Sequence, residues 1–124
     1  VHVTLSYLEI YMEEIHDLLN PGKGKLEIRE SPDEIYVDKL CTLVIKETEE
    51  VGRLVQQGNA IRKVASTDMN ERSSRSHSVL TVQVQQRKKE LLPDGVTTRQ
   101  STLSAKLNLV DLDYSLFFFI ITNF

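Results

Sequence analysis

The 124-residue sequence contains no tryptophan and one cysteine, Cys41. A lone thiol excludes an intramolecular disulfide framework and a cysteine-rich zinc site, and it fits a reducing compartment. Cys41 itself reads as a small core residue. The three histidines, His2, His16 and His77, lie far apart without metal-ligand spacing, so no zinc site is expected. Excess positive charge is also missing. The net charge is −3, so no global basic field points to nucleic acid or to anionic lipid. Long apolar runs are missing too. The densest, Leu116 to Ile121, is far short of the ~20 residues a membrane helix needs. The N-terminal residues lack the basic, apolar and small-residue succession of a secretory signal. Because the chain opens on Val1-His2-Val3, it is expected to be cut from a longer product.

What is present is an ordinary globular mixture, 40% hydrophobic and 27% charged, enough to bury one core. Residues 2–12 read as a strand. Val3, Leu5 and Tyr7 occupy one parity and Leu8, Ile10 and Met12 the other, which predicts burial on both faces. Ile15, Leu18 and Leu19 predict a short helical turn over Glu13 to Leu19, stopped by Asn20-Pro21-Gly22. Residues 26–29, 35–38 and 41–46 read as short strands of a small hairpin excursion, broken at Ser31-Pro32-Asp33. Residues 48–64 read as a helix. Thr48 stands as its cap, Glu49 and Glu50 lie near the positive end of its dipole, and Val51, Leu54, Val55, Ile61 and Val64 keep helical spacing. Gly58 weakens that helix by about 1 kcal/mol relative to alanine. Residues 79–86 and 106–112 read as strands. The polar stretch Arg87 to Ser104 between them reads as a connection turning at Pro93-Asp94-Gly95. Strands interrupted by one helix give the α/β class.

Two stretches carry chemistry. The first, Asn70-Glu71-Arg72-Ser73-Ser74-Arg75-Ser76-His77, packs three serines, two arginines and a histidine into eight residues. Short hydroxyls can hold Mg²⁺ or its waters, and arginine can stabilise a phosphoryl group or latch onto a carboxylate. A solvated turn with capping serines is the competing reading. The second is Leu107-Asn108-Leu109-Val110-Asp111-Leu112, where an acidic residue ends an apolar strand, as in many Mg²⁺-dependent nucleotide hydrolases. A hydrolase triad from Ser73 or Ser76 with His77 and Asp68 has no nucleophile-elbow pattern to support it. Arg87-Lys88-Lys89 reads as a solvated loop face.

In this order, the two stretches resemble the kinesin motor domain. The first matches the switch I pattern N-x-x-S-S-R-S-H at every fixed position. The second matches the first half of switch II, L-N-L-V-D-L-A-G-S-E. Ser6-Tyr7-Leu8-Glu9-Ile10-Tyr11, Glu14-Ile15 and Asp17-Leu18-Leu19 resemble the family's S-Y-x-E-I-Y-N-E-x-I-x-D-L-L segment. Leu26 to Glu30 with Ile35-Tyr36-Val37, and Gly58-Asn59 with Arg62 and Thr67 to Asn70, resemble the segments between.

The resemblance implies a partial kinesin-type motor domain over residues 1–112. Its fold would be a mixed sheet of the P-loop NTPase kind flanked by helices, and residues 113–124 would form an unrelated apolar tail. It implies a microtubule-based motor that couples ATP binding and hydrolysis to movement. ATP, Mg²⁺ and tubulin are the implied partners, and the cytoplasmic microtubule cytoskeleton is the implied location. Nucleic acid and membrane insertion are not among the implications. Asn70, Ser73 and Ser74 would bind nucleotide, with Asn70 and Ser73 shaping the γ-phosphate side. Ser74 and Asp111 would hold Mg²⁺ through water, and Arg75 would pair with a switch II glutamate. Residues 26–46, with Arg29, Lys39 and Lys46, would lie near tubulin.

Departures from the family pattern qualify these roles. The phosphate-loop pattern G-x-x-x-x-G-K-[S/T] occurs nowhere in the sequence, and Gly22-Lys23-Gly24-Lys25 does not satisfy it. Where the family's switch II continues Ala-Gly-Ser-Glu, this chain has Asp113-Tyr114-Ser115-Leu116. The chain on its own is therefore expected to bind and hydrolyse no ATP. The alternative to a motor segment is a non-catalytic kinesin-like fragment acting as a tubulin or protein interaction module.

Overall fold

A computed structural model describes residues 1–64, 75–111 and 117–123, with side chains described for 1–62 and 75–110. The elements run β1 (His2–Tyr11), β2 (Glu14–Asp17), a single 3-10 turn (Pro21–Lys23), β3 (Lys25–Leu26), β4 (Ile28–Glu30), β5 (Ile35–Val37) and β6 (Leu43–Ile45). They continue with α1 (Thr48–Val64), β7 (His77–Leu91), β8 (Thr98–Asp111) and β9 (Phe117–Asn123). The main sheet has the order β3-β2-β1-β7-β8-β9, and β6 pairs with β1 beside β2. β4 and β5 form a separate two-stranded sheet. Every strand pairing among the described residues is antiparallel.

β1 is the internal strand that its two-parity apolar pattern predicted. It pairs with β7 along its length, with β6 at Val3–Leu5 and with β2 at Leu8–Tyr11. Residues Leu5 through Glu9 are all buried. The two parities meet different surroundings. Leu5 and Tyr7 join Leu18 and Leu19 in the core, against which Leu54 and Ile61 of α1, Leu80 and Val82 of β7, and Cys41 pack. Full burial of Leu5 alone contributes roughly 1.5–3 kcal/mol. On the other face Ser6 and Leu8 line an open cleft of about 370 Å³, together with Ile28 and Tyr36 of the small sheet and Thr81 and Lys106.

Helix α1 has the bounds predicted from its spacing. At its entry the Glu50 carboxylate accepts a hydrogen bond from the Lys46 backbone N–H (3.4 Å). Gly58 is not a flaw in this helix. A Cβ there would lie 2.4 Å from the Tyr7 ring, so glycine is what lets the helix approach the strand. The neighbouring Asn59 side chain then accepts the Tyr7 hydroxyl (2.7 Å).

Three expectations fail. Of the short strands expected in one small hairpin excursion, only β4 and β5 form it, while β6 pairs with β1 and β3 with β2 in the main sheet. Glu13 to Leu19 is not a helical turn. Met12 and Glu13 both adopt positive φ (51° and 63°), and Tyr11 pairs with Glu14 across a two-residue hairpin. The 3–4 spacing of Ile15, Leu18 and Leu19 came from a strand followed by a bend. Asp17 pins that bend. Its buried carboxylate accepts the N–H groups of Leu19 (2.9 Å), Asn20 (3.3 Å) and Cys41 (2.7 Å). Residues 87–104 are likewise not a loose connection. The ladder of β7 with β8 runs from Ser78↔Asp111 to Leu91↔Thr98, and only Leu92 to Thr97 form the turn. Polar composition hid these strands because their outer halves are exposed on both faces. The residues expected to form a tail include β9, which pairs with β8 from Ala105↔Asn123 to Asp111↔Phe117.

Candidate functional site

The site begins where α1 meets β1. Glu9 continues the Leu5–Tyr7 parity of β1 and is 1% exposed. A carboxylate buried there demands a cationic partner, since desolvating an isolated charge is prohibitive. Arg62 meets it. It lies one helical turn beyond Gly58, and its Nε stands 3.4 Å from Glu9 Oε2.

The same guanidinium holds the chain that leaves the serine-rich stretch. Nε and Nη2 donate to Ser76 Oγ (3.1 and 2.9 Å), and Nη2 also donates to the Ser76 carbonyl (3.1 Å). Nη1 reaches Ser78 Oγ at 3.5 Å. Ser76 and Ser78 are buried. Arginine suits this task because its planar fork serves several acceptors in fixed geometry. One side chain thus ties α1, β1 and the start of β7 together. Sequence reasoning noted Arg62 only as part of a motif. The signal for its role was a charged residue on the buried parity of β1, with an arginine one turn after the glycine that faces that strand.

From Ser78 the register leads directly to the second stretch. Ser78 lies opposite Asp111 in the β7–β8 ladder. The exit of the serine-rich octet and the acidic strand end therefore meet at one end of one strand pair, although they are far apart in sequence. Asn108, in the same strand segment as Asp111, has a different task. It accepts the Thr81 hydroxyl (2.8 Å) from the residue directly opposite.

Of the predicted site residues, Asn70, Ser73 and Ser74 lie outside the described residues. Arg75 is described and exposed, immediately before the buried Ser76. Asp111 is placed by its backbone as the last residue of β8. Among the described residues, no three His, Cys, Asp or Glu side chains gather into a metal-binding group. No described helix is long and apolar enough to cross a membrane. Of the basic residues in 26–46, Arg29 is paired locally with Asp38 (3.5 Å), and the Lys39 carbonyl accepts a hydrogen bond from Lys23 Nζ.

The kinesin motor domain family profile matches residues 1–115. The chain belongs to the kinesin motor domain family. Kinesin-related protein 5 of Dictyostelium discoideum is 47% identical over 112 residues, covering 89% of this chain and 10% of that protein. Kinesin-like protein KIF1B of Homo sapiens is 43% identical over 112 residues, covering 89% of this chain and 6% of that protein. The solved structure described as "Structure of a fast kinesin: Implications for ATPase mechanism and interactions with microtubules" superposes with a TM-score of 0.71 at 35% identity. That match covers 90% of this chain and 29% of that one. The chain thus spans a tenth or less of these two curated kinesins, and its sheet with helix α1 is a portion of the kinesin fold.

Proposed function

We propose that residues 1–112 are the switch-bearing segment of a motor that hydrolyses ATP and moves along microtubules in the cytoplasm. The observation that carries this reading is the meeting of the two motifs. Arg62 fixes Ser76 and Ser78 at the exit of the N-x-x-S-S-R-S-H octet, and Ser78 stands opposite Asp111. Two loops that sense one phosphate must converge, and a strand pair with fixed register makes them converge reproducibly.

The donor set fits the metal side of such a site. Hydroxyl and carboxylate oxygens are the hard ligands that Mg²⁺ prefers. Ser74 and Asp111 would hold it through water. When bound, the ion neutralises charge on the transferring phosphoryl group. Asn70 and Ser73 would position the γ-phosphate side. Arg75, exposed at the octet's exit, would pair with an acidic partner once the switches close. The chain's own residues do not fit the phosphate side, since no phosphate-binding loop occurs in the sequence. In a motor, residues beyond this segment would supply that cradle. The segment 26–46 is proposed to lie on the tubulin side, with Lys39 and Lys46 as its contributors because Arg29 is already paired. Residues 113–124 are proposed to stand outside the motor segment.

The test is microtubule-stimulated ATP turnover by a longer kinesin product that carries these residues. Arg75→Ala and Asp111→Ala are each expected to lower turnover by roughly 10²–10³-fold, the scale for losing a transition-state charge partner. The 124-residue chain alone is expected to show none above background. Unchanged turnover in both variants would refute the switch assignment.

A further inference from the structure

Among the described residues, the two ends of the main sheet's strand path are guarded very differently, and β6, which pairs only with β1, is a third edge of just three residues. At one end stands β3, only two residues long. Its first residue is Lys25, and it follows Gly24, which adopts positive φ (71°). Short length, charge and a backbone bend are the usual ways to stop an edge from recruiting another strand. At the other end stands β9, Phe-Phe-Phe-Ile-Ile-Thr-Asn. It has seven residues, no charge, no proline and no glycine. Its sequence combines every feature that favours strand addition and none that opposes it.

We propose that β9 is a self-association edge, on which a second copy of this chain pairs antiparallel through its own β9. Full overlap places Phe117 opposite Asn123, Phe118 opposite Thr122, Phe119 opposite Ile121, and Ile120 opposite Ile120. No like-charged pair arises in that register, so self-pairing meets no electrostatic penalty. An antiparallel pair of identical strands has two-fold symmetry. It consumes the β9 edge that is unpaired among the described residues of both copies, so the assembly closes as a dimer. Continuation through β3 is opposed by Lys25.

The experiment is sedimentation velocity of the full chain over a wide concentration range, with cysteine cross-linking as a register check. A monomer–dimer equilibrium is expected. Ile120→Lys sets two like charges face to face. It is expected to weaken dimerisation at least ~10-fold while the far-ultraviolet circular dichroism stays unchanged. In the antiparallel register, residues facing each other stand about 4.5–5.5 Å apart at Cα, within disulfide reach. A Cys41→Ser/Ile120→Cys chain should therefore cross-link under mild oxidation, and Cys41→Ser/Val44→Cys should not. Should Ile120→Lys fail to fold, this cross-linking pair decides alone. A monomer at all concentrations, open-ended growth beyond the dimer, or a dimer that Ile120→Cys cannot cross-link would each overturn the proposal.

Discussion

The β7–β8 pair contains two halves built from the same ladder and stabilised in different ways. In the inner half, β7 is flanked by β1 on its other side and backed by α1. Beyond Gln85↔His2, β1 ends and, among the described residues, β7 pairs with β8 alone. Residues Gln85 to Leu91 and Thr98 to Leu103 are exposed. An isolated two-stranded ribbon is marginally stable in water, whereas three strands with a covered face are not. Hydrogen bonds alone thus do not distinguish the covered half from the exposed one. The covering helix and its anchors do, and Ser78 and Asp111 stand at the covered end.

The sharpest way to break that contrast is to remove the anchor. Arg62→Ala leaves Glu9 without its guanidinium partner in a buried setting. It is expected to cost about 3–5 kcal/mol in denaturant unfolding, as other broken buried ion pairs do. A loss below ~1 kcal/mol would show that the Glu9–Arg62 contact is peripheral to the fold.

Gly58→Ala tests the contact between helix and strand. Helix propensity alone would favour alanine by about 1 kcal/mol. The Tyr7 ring occupies the space its Cβ needs, so a net destabilisation of roughly 1–3 kcal/mol is expected. A more stable variant would mean that α1 can retreat from β1 without penalty.

Met12→Asn should act in the opposite direction. The first position of the β1–β2 turn has φ 51°, a region asparagine tolerates far better than methionine. Met12 is 76% exposed, so no packing is lost. A gain of up to ~1 kcal/mol is expected in thermal or denaturant unfolding. A destabilised variant would contradict the two-residue turn.

The smallest effect belongs to the ribbon tip. The Asp94 carboxylate accepts the Thr97 hydroxyl and the N–H groups of Thr97 (2.9 Å) and Val96 (3.0 Å). These bonds, the Thr97 hydroxyl foremost, lower its pKa. A lowered pKa means that the contribution is present above the ordinary carboxylate value and is lost as pH falls through the folded value. Amide exchange at Val96 and Thr97 should therefore lose protection on acidification, and Asp94→Asn should lose it at neutral pH. The midpoint of global unfolding should not move. A shift in that midpoint would mean that the two halves of the ribbon are coupled.

Helix α1 was legible to the residue because seventeen residues of periodic spacing between clear ends leave little ambiguity. β1 was legible because its two-parity pattern signals an internal strand. The β1–β2 turn was not, since Met12-Glu13 carries none of the usual turn residues. The outer halves of β7 and β8 were hidden because strand periodicity requires one dry face, and theirs has none. Within the site, the octet and Asp111 were recognisable as motifs. Their juxtaposition through Ser78 depends on register, which no local pattern encodes. Arg62 was the least legible, because its task is defined by a buried carboxylate half the chain away.

The pairing of β1 with β7 also has a kinetic consequence. The β1–β2 and β7–β8 hairpins each join neighbours in sequence and can close early. β1 and β7 come from opposite halves of the chain, so their pairing forms only after a large loop has been closed. Chains dominated by such distant pairings fold slowly, on the order of milliseconds to seconds. The junction that unites the two switch motifs with the helix is thus expected to be the last part of this segment to assemble. It is also where a nascent chain would wait longest for its partner strand.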